Sequence, residues 1–594
     1  MDRRHQADNA ELMPTYILRP IIMFPAGVVT HHRLRSLRQY FFTAWHCLFS
    51  QYDDQNLNDL DVLYREGTEA IGRSDLGRAH HCFTRMLELR PDDIRALNAL
   101  GIVCVKRRDF ARASMLFRQA LALKSTSPEL ADIHVNNGRA AMQLGRYDEA
   151  GRSFRSAISL RPEWADARRH YGRLLTELGR YGEARTELSR AVALGDGDSD
   201  ARALLGVAHA RSGDFDGAIT AYREAMHLNP NNTRALAYLV GLLWRLDHKA
   251  EALALYQLGL RDHPRAPMLH LGLGDILIAS GQTERGWQEH QWVYHPDADA
   301  PPVTAFGEVL PQWDGTDPQG RTLLVYADQG AGDAIQFLRF VPLLAQRVHA
   351  RIVVWLPAAF RNLFETLPGV AEWRSSGAFR EASTGCWAIT PLGGLPARLG
   401  LTSADSTAMY PELVVPATRY ADWNAWIDTK RDSAFAVGFV WHGNIRHGGD
   451  VFRSIPVAQL APLADVKGVT WVSLQKADAR RPRTEAKLPF TALDAAPGLV
   501  DWAETAAVLR NLDLLITVDT GVAHLAGALG VRTWLLLARI PDSRWMLEGA
   551  STPWYPSMRL FRQPAVGDWG AVIERVRNEL RGGSGWRRRK CRPV

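Results

Sequence analysis

Cysteine is scarce in this sequence. The 594 residues include five, Cys47, Cys82, Cys104, Cys386 and Cys591, with no CxxC or Cys/His ligand spacing among them. That argues against a structural zinc site and points to a reducing, cytoplasmic compartment. Long apolar runs are missing too, since none reaches the roughly 18 residues that a spanning helix needs. The stretch Tyr16–Val29 is interrupted by Arg19, Pro20 and Pro25, which makes a poor signal peptide. Residues 1–56 therefore read as an N-terminal extension with no assigned fold or role. Charge of one sign is also lacking. Lys and Arg number 71 against 64 Asp and Glu, and the formal +7 is spread over both halves. The dense basic cluster is the tail, 581–594, which reads as a solvated end, so nucleic acid is not an expected partner.

A repeat is present in place of these features. Gly67, Gly101, Gly138, Gly172 and Gly206 recur, and Gly274 lies two steps of 34 after Gly206. Phe110, Tyr147, Tyr181 and Phe215 follow the same register. Each is followed three residues later by alanine, at Ala113, Ala150, Ala184 and Ala218, and then by Ala120, Ala157, Ala191 and Ala225. Prolines at Pro91, Pro128, Pro162, Pro230 and Pro264 end the units, because proline lacks the N–H and clashes with the preceding turn. Glycine and alanine let two antiparallel helices approach closely. The pattern resembles the tetratricopeptide repeat, a helix–turn–helix unit. Six full repeats over about 58–264 and a degraded seventh give a solenoid over 57–296. The histidines here, His80, His81, His134, His170 and His209, share no ligand spacing. The expected role is to hold a protein or peptide.

Proline, Asp and Gly dominate the linker 297–320. Beyond it, strands alternate with helices: RTLLVY, RIVVWLP, CWAITP, AFAVGFV, VTWVSLQ, DLLITV and TWLLLA. Such βα alternation implies mostly parallel sheets with helices on both faces. Two sets, 321–430 and 431–580, suggest two halves with a cleft at the carboxyl ends of their strands.

Three segments of this half carry a resemblance: QGAGDAIQFLRFVP, VGFVWHGNIRHGGDVFRSIP and VDTGVAHLAGALG. Together they are similar to glycosyltransferases of the bacterial heptosyltransferase type, with the GT-B fold. The whole arrangement is similar to bacterial tetratricopeptide proteins ending in a glycosyltransferase-like domain. The expected fold is thus α plus α/β: an N-terminal helical solenoid, then a GT-B-like pair of Rossmann-type domains, 321–430 for the acceptor and 431–580 for the donor.

The resemblance implies a nucleotide-sugar donor at Asp519, Thr520, Gly521 and His524. The residues suit it, since unpaired N–H groups at a helix start attract an anion. Gly521 would let a diphosphate near the backbone, and His524 would lean back toward it. An ordinary capped crossover helix is the competing reading. Arg453 matches the family's lysine at the donor phosphates and presents a fork of donors. Gln475 and Lys476 leave a strand on the same edge, and His442 and Asn444 lie in a Gly-rich loop that could line the cleft. On the acceptor side stand Gly330, Gly332, Gln336 and Asp333. The resemblance marks Asp333 as the general base, and a helix cap is the competing reading. Asp333 lies nine residues before Pro342, farther than in heptosyltransferases, which suggests a helix longer by about one turn. The repeats are then expected to wall the short first half.

The expected activity is an inverting, metal-independent glycosyl transfer of hexosyl- or heptosyl-transferase type. It needs no cofactor beyond the nucleotide sugar as cosubstrate, because no DxD-type cluster sits at a strand end. The repeats are expected to hold a protein acceptor or partner. The alternatives are a scaffold with a degenerate transferase half, or a transferase for a lipid-linked or polysaccharide acceptor.

Overall fold

A computed structural model describes residues 59–123, 128–195, 197–295, 298–299, 310–375, 379–402, 405, 410–430, 435–476 and 488–582. The N-terminal extension, nearly all of the basic tail, Cys47, Cys591 and much of the linker lie outside the described residues. The chain divides into two compact units, one ending at Ala96 and one beginning at Leu97.

In the first unit, residues 59–72 and Leu76–Leu89 are helical. The ring of Phe83 fills the place of a side chain on Gly67, 2.6 Å from an ideal Cβ. Asp75 caps the second helix by accepting from the Arg78 N–H at 2.9 Å.

In the second unit, Phe110–Ala122 precedes five helical pairs: Leu130–Gln143 with Tyr147–Leu160, Ala165–Glu177 with Tyr181–Leu194, Ser199–Arg211 with Phe215–Leu228, Thr233–Arg245 with Lys249–Asp262, and Pro267–Ala279 with Thr283–His290. The repeating glycines are there for contact. Ideal Cβ atoms on Gly138, Gly172 and Gly206 would come 2.5–2.6 Å from Phe154, Leu188 and Tyr222 of the paired helix. The repeating alanines, including Ala150, Ala157, Ala184 and Ala191, are fully buried. Between the helices of each pair one residue takes the left-handed conformation: Gly145, Gly179, Gly213, Asp247 and Gly281. The last pair is shorter than the others. Its second helix has eight residues and runs into a single 3-10 turn, Gln291–Tyr294.

Among the described residues the α/β region has two sheets, and every pairing in them is parallel. The first holds β1 (Thr322–Tyr326), β2 (Arg351–Trp355), β3 (Glu372–Arg374) and β4 (Ala388–Pro391), in the order β3-β2-β1-β4. The second holds β5 (Ala436–Val440), β6 (Thr470–Ser473), β7 (Ala492–Asp494), β8 (Leu514–Val518), β9 (Thr533–Leu537) and β10 (Met558–Arg562), in the order β10-β9-β8-β5-β6-β7. Both orders reverse at their first strand, between β1 and β4 and between β5 and β8. A crevice opens outside the strand ends at such points. The central strands β5, β8 and β9 are buried throughout, which explains their continuous apolar runs. The edge strands β3, β7 and β10 lack such runs and were not legible in the sequence.

One helix differs from its expected form. The segment after β1 is not one lengthened helix. Ala331–Leu338 ends, and a second helix, Val341–Arg347, starts with Pro342 in its first turn. Proline there needs no N–H partner, so the extra residues form a break.

The solenoid packs on the second sheet's loops along its row of left-handed turns. Ile445 lies against Gly179, and Phe452 stacks on Phe215 with ring centres 4.9 Å apart. Arg446 lies over the Tyr147 ring at 4.5 Å. Arg539 donates to Asp247 at 3.0 Å, and Ser543 to Asp275 at 3.0 Å. The repeat period therefore lines up the loops after β5 and β9.

Candidate active site

A cavity of about 490 Å³ opens where three parts of the second unit converge. The end of the solenoid supplies Asp275, Trp287, His290 and Tyr294. The first sheet supplies Asp328, Asp333 and Gln336, and the second supplies His447, Asp542 and Arg544. Its size is that of an ordinary small-molecule site.

Two short helices set the geometry. Ala331–Leu338 follows β1 and Gly521–Ala528 follows β8, and their first turns touch. An ideal Cβ on Gly332 would lie 2.8 Å from the His524 ring and 3.5 Å from the Gly521 Cα. One on Gly521 would lie 2.8 Å from the Trp502 ring. Both glycines thus serve the crossing of the two helix starts, and the space at the Gly521 Cα is taken by Trp502 and Gly332. Thr520 is the residue before the helix, but its hydroxyl makes no cap and lies 3.4 Å from that of Thr517.

Arg544 is the hub. Its guanidinium donates to Asp333 at 2.5 Å, Asp542 at 2.7 Å and the side-chain oxygen of Gln336 at 2.7 Å, and it lies 3.4 Å from Nε2 of His524. Burial opposes the charge on Arg544, but Asp542, Asp333 and Asp519 outweigh it and hold the guanidinium charged. Burial likewise works to raise the Asp542 carboxyl, and Arg544 overrides it and brings it below the ordinary carboxylate range. Nothing local marks Arg544 in the sequence: Pro541–Arg544 reads as a plain turn.

His524 is 3 % exposed, and burial, then the charge of Arg544, push its imidazole well below its ordinary pKa. Arg544 faces Nε2 of the ring, and Nδ1 lies 3.0 Å from the Tyr555 hydroxyl. Asp519 lies 3.8 Å from Nε2, and burial followed by Asp542 raises its carboxyl.

Asp333 is engaged through both oxygens. One accepts from the Gly330 N–H at 2.9 Å, capping its own helix, and the other takes Arg544. Gln336 is buried, and its amide nitrogen has no hydrogen-bond partner among the described residues. Arg453 passes over Gly443, where an ideal Cβ would be 2.5 Å from the guanidinium, and meets Asp450 at 3.5 Å. It shares a small crevice with Asp519, Asp542, His447 and Arg245 of the solenoid.

The remaining expected residues stand apart from this cluster. The Gln475 side-chain oxygen accepts from the N–H groups of Trp441 and His442, at 3.2 and 3.0 Å, and braces that loop. His442 Nδ1 lies 3.1 Å from the Gly443 carbonyl. Asn444 is exposed and accepts from the Arg446 N–H, and Lys476 is exposed. Among the described residues no group of three or more His, Cys, Asp or Glu is arranged to hold a metal, and no helix is long and apolar enough to cross a membrane.

Tetratricopeptide-repeat models match residues 64–128, 141–207 and 209–271, so these residues form tetratricopeptide repeats. Protein FlbA of Caulobacter vibrioides is 24% identical over 387 residues, covering 61% of this chain and 63% of FlbA. The chain thus spans under two thirds of that relative. The match is longer than residues 59–295, so it reaches outside the helical repeats. The peroxisomal targeting signal receptor of Kluyveromyces lactis is 30% identical over 102 residues, 17% of this chain and 18% of the receptor. The crystal structure of YrrB, a TPR protein with an unusual peptide-binding site, is similar over 32% of this chain and 95% of its own, at 22% identity and a TM-score of 0.27.

Proposed function

We propose that this chain is an inverting, metal-independent glycosyltransferase with a GT-B-like pair of Rossmann-type domains. It moves a sugar from a nucleotide-diphosphate donor to an acceptor hydroxyl, and the repeats hold a protein acceptor or partner. The observation that carries the reading is the cavity. It lies outside the carboxyl ends of two parallel sheets, near the reversal of strand order in each, where such sheets take ligands. Its lining suits a sugar: Trp287, Tyr294 and Trp554 offer apolar faces, and carboxylates offer hydrogen bonds. The positive side chains nearby, Arg453 and Arg544, suit a leaving diphosphate. Asp519 and His524 stand beside them. Two carboxylates of the first sheet face the cavity, Asp328 and Asp333.

The test is incubation of the full chain with a panel of nucleotide sugars, scoring binding by calorimetry and donor hydrolysis by product release. Binding with hydrolysis supports the transferase. A second reading, a scaffold whose transferase-like half binds without turnover, is favoured by the closure of Arg544 on Asp333. Binding of a nucleotide sugar with no turnover would establish it. Absence of binding would end the transferase reading.

A further inference from the structure

Both oxygens of Asp333, the aspartate that the heptosyltransferase resemblance marks as base, accept short hydrogen bonds, one of them from a guanidinium. Its carboxylate caps Gly330 and pairs with Arg544. Asp328, just after β1, is in a different position. It faces the same cavity, and no ion pair to it is seen among the described residues. Its Oδ2 accepts from the Tyr294 hydroxyl, and its Oδ1 only weakly from the Gly393 N–H at 3.4 Å. Tyr294 belongs to the turn that ends the solenoid. Arg398 lies over the Tyr294 ring at 5.7 Å, so a cation stands behind the pair without bonding to the carboxylate. Burial raises the Asp328 carboxyl, while the Tyr294 hydroxyl pulls it down. A raised carboxylate is a stronger proton acceptor at neutral pH.

We propose that Asp328, held in place by Tyr294 of the solenoid, is the carboxylate that takes the acceptor's proton. The acceptor oxygen attacks the anomeric carbon. The bond from that carbon to the diphosphate oxygen breaks, and its electron pair leaves with the diphosphate. The acceptor proton passes to Asp328. This assignment rests on the glycosyl-transfer reading. It makes the end of the repeats part of the active site, with Tyr294 a positioning residue.

The experiment uses the full chain with the nucleotide sugar that it hydrolyses, with water as acceptor. Asp328→Asn keeps the shape and the contact to Tyr294. It is expected to lower kcat about 10²–10⁴-fold, with donor affinity changed less than about threefold, well under the cost of losing a charged hydrogen bond. Asp333→Asn is expected to lower kcat less and to lower the melting temperature more. Tyr294→Phe removes a hydrogen bond to the charged form, so the acid limb of the pH–rate profile is expected to move to higher pH. Tyr326, Arg398 and Asp333 also interact with Asp328 and are unchanged in that variant. A kcat for Asp328→Asn within tenfold of the parent, or an unmoved acid limb in Tyr294→Phe, overturns the assignment and leaves the transferase reading standing. If the parent chain binds and hydrolyses no nucleotide sugar, the transferase reading falls and takes this assignment with it.

Discussion

Arg544 and Asp333 meet at 2.5 Å, the first from the segment after β9 and the second from the helix after β1. The pair ties the two sheets together across the cavity. It is also what engages the second oxygen of Asp333. Their side chains are 16% and 20% exposed, so water screens the pair little.

Removing one partner of such a buried pair leaves the other without compensation, at a cost of about 3–5 kcal/mol. Arg544→Ala is expected to lose that much, since Asp542 and Gln336 lose a partner with Asp333. Asp333→Asn is expected to lose less, because the amide oxygen still accepts from one of the two donors, and Asp542 and Gln336 keep Arg544. Urea denaturation of both variants and of the double variant checks this. Equal effects of the two single changes would contradict the hub role of Arg544.

The docking of the repeats on the second sheet can be measured separately. Phe215 and Phe452 stack at 4.9 Å with rings 10° from parallel. A double-mutant cycle with Phe215→Ala and Phe452→Ala is expected to give a coupling of about 0.5–1.5 kcal/mol. Strict additivity would mean that this stack does not form in solution. Because this contact exists, removing the repeats exposes apolar surface, and point variants test their role more cleanly than truncation.

His524 gives the protein a pH dependence. Its folded pKa lies well below the unfolded value of about 6.5. Between the two values the unfolded chain binds more protons, so stability is full above about pH 6.5 and falls as pH drops through that window. Asp519, whose carboxyl is raised, acts with the opposite sign toward acid pH. The His524→Gln variant is expected to lose the fall in melting temperature between about pH 7 and 5 that is due to this group. An unchanged slope in that range would place the imidazole in contact with water.

On the transferase reading, Arg453→Ala is expected to weaken nucleotide-sugar binding by one to two decades, since a hydrogen bond to a charged group is worth roughly 1.5–3 kcal/mol. Calorimetric titration measures it. Chelator is expected to leave binding and hydrolysis unchanged. Turnover abolished by chelator and restored by a divalent ion would overturn the metal-independent mechanism.

The repeats were legible because their physics is local. Gly138 and Phe154, or Gly206 and Tyr222, are neighbours in sequence that meet within one helical pair, so the period appears in the chain itself. The buried strands β5, β8 and β9 were legible for a similar reason: a strand covered on both faces must be apolar throughout. The edge strands β3, β7 and β10 were not, since β10, for one, carries Arg559 and Arg562 and needs only one neighbour.

Sequence alone determined that a 34-residue helical repeat precedes alternating strands and helices, and that glycine and small polar residues stand where β1 and β8 end. Those features follow from periodicity and from the backbone demands of turns. The tertiary structure alone decided how they combine. It brought Arg544 onto Asp333, Asp542 and Gln336, packed Gly332 against Gly521 and His524, and carried Tyr294 of the solenoid to Asp328. Asp333 and Arg544 are 211 positions apart, and no local pattern encodes their meeting. A buried charge must find its partner wherever the fold supplies one, so such pairs become visible only when the chain has closed on itself.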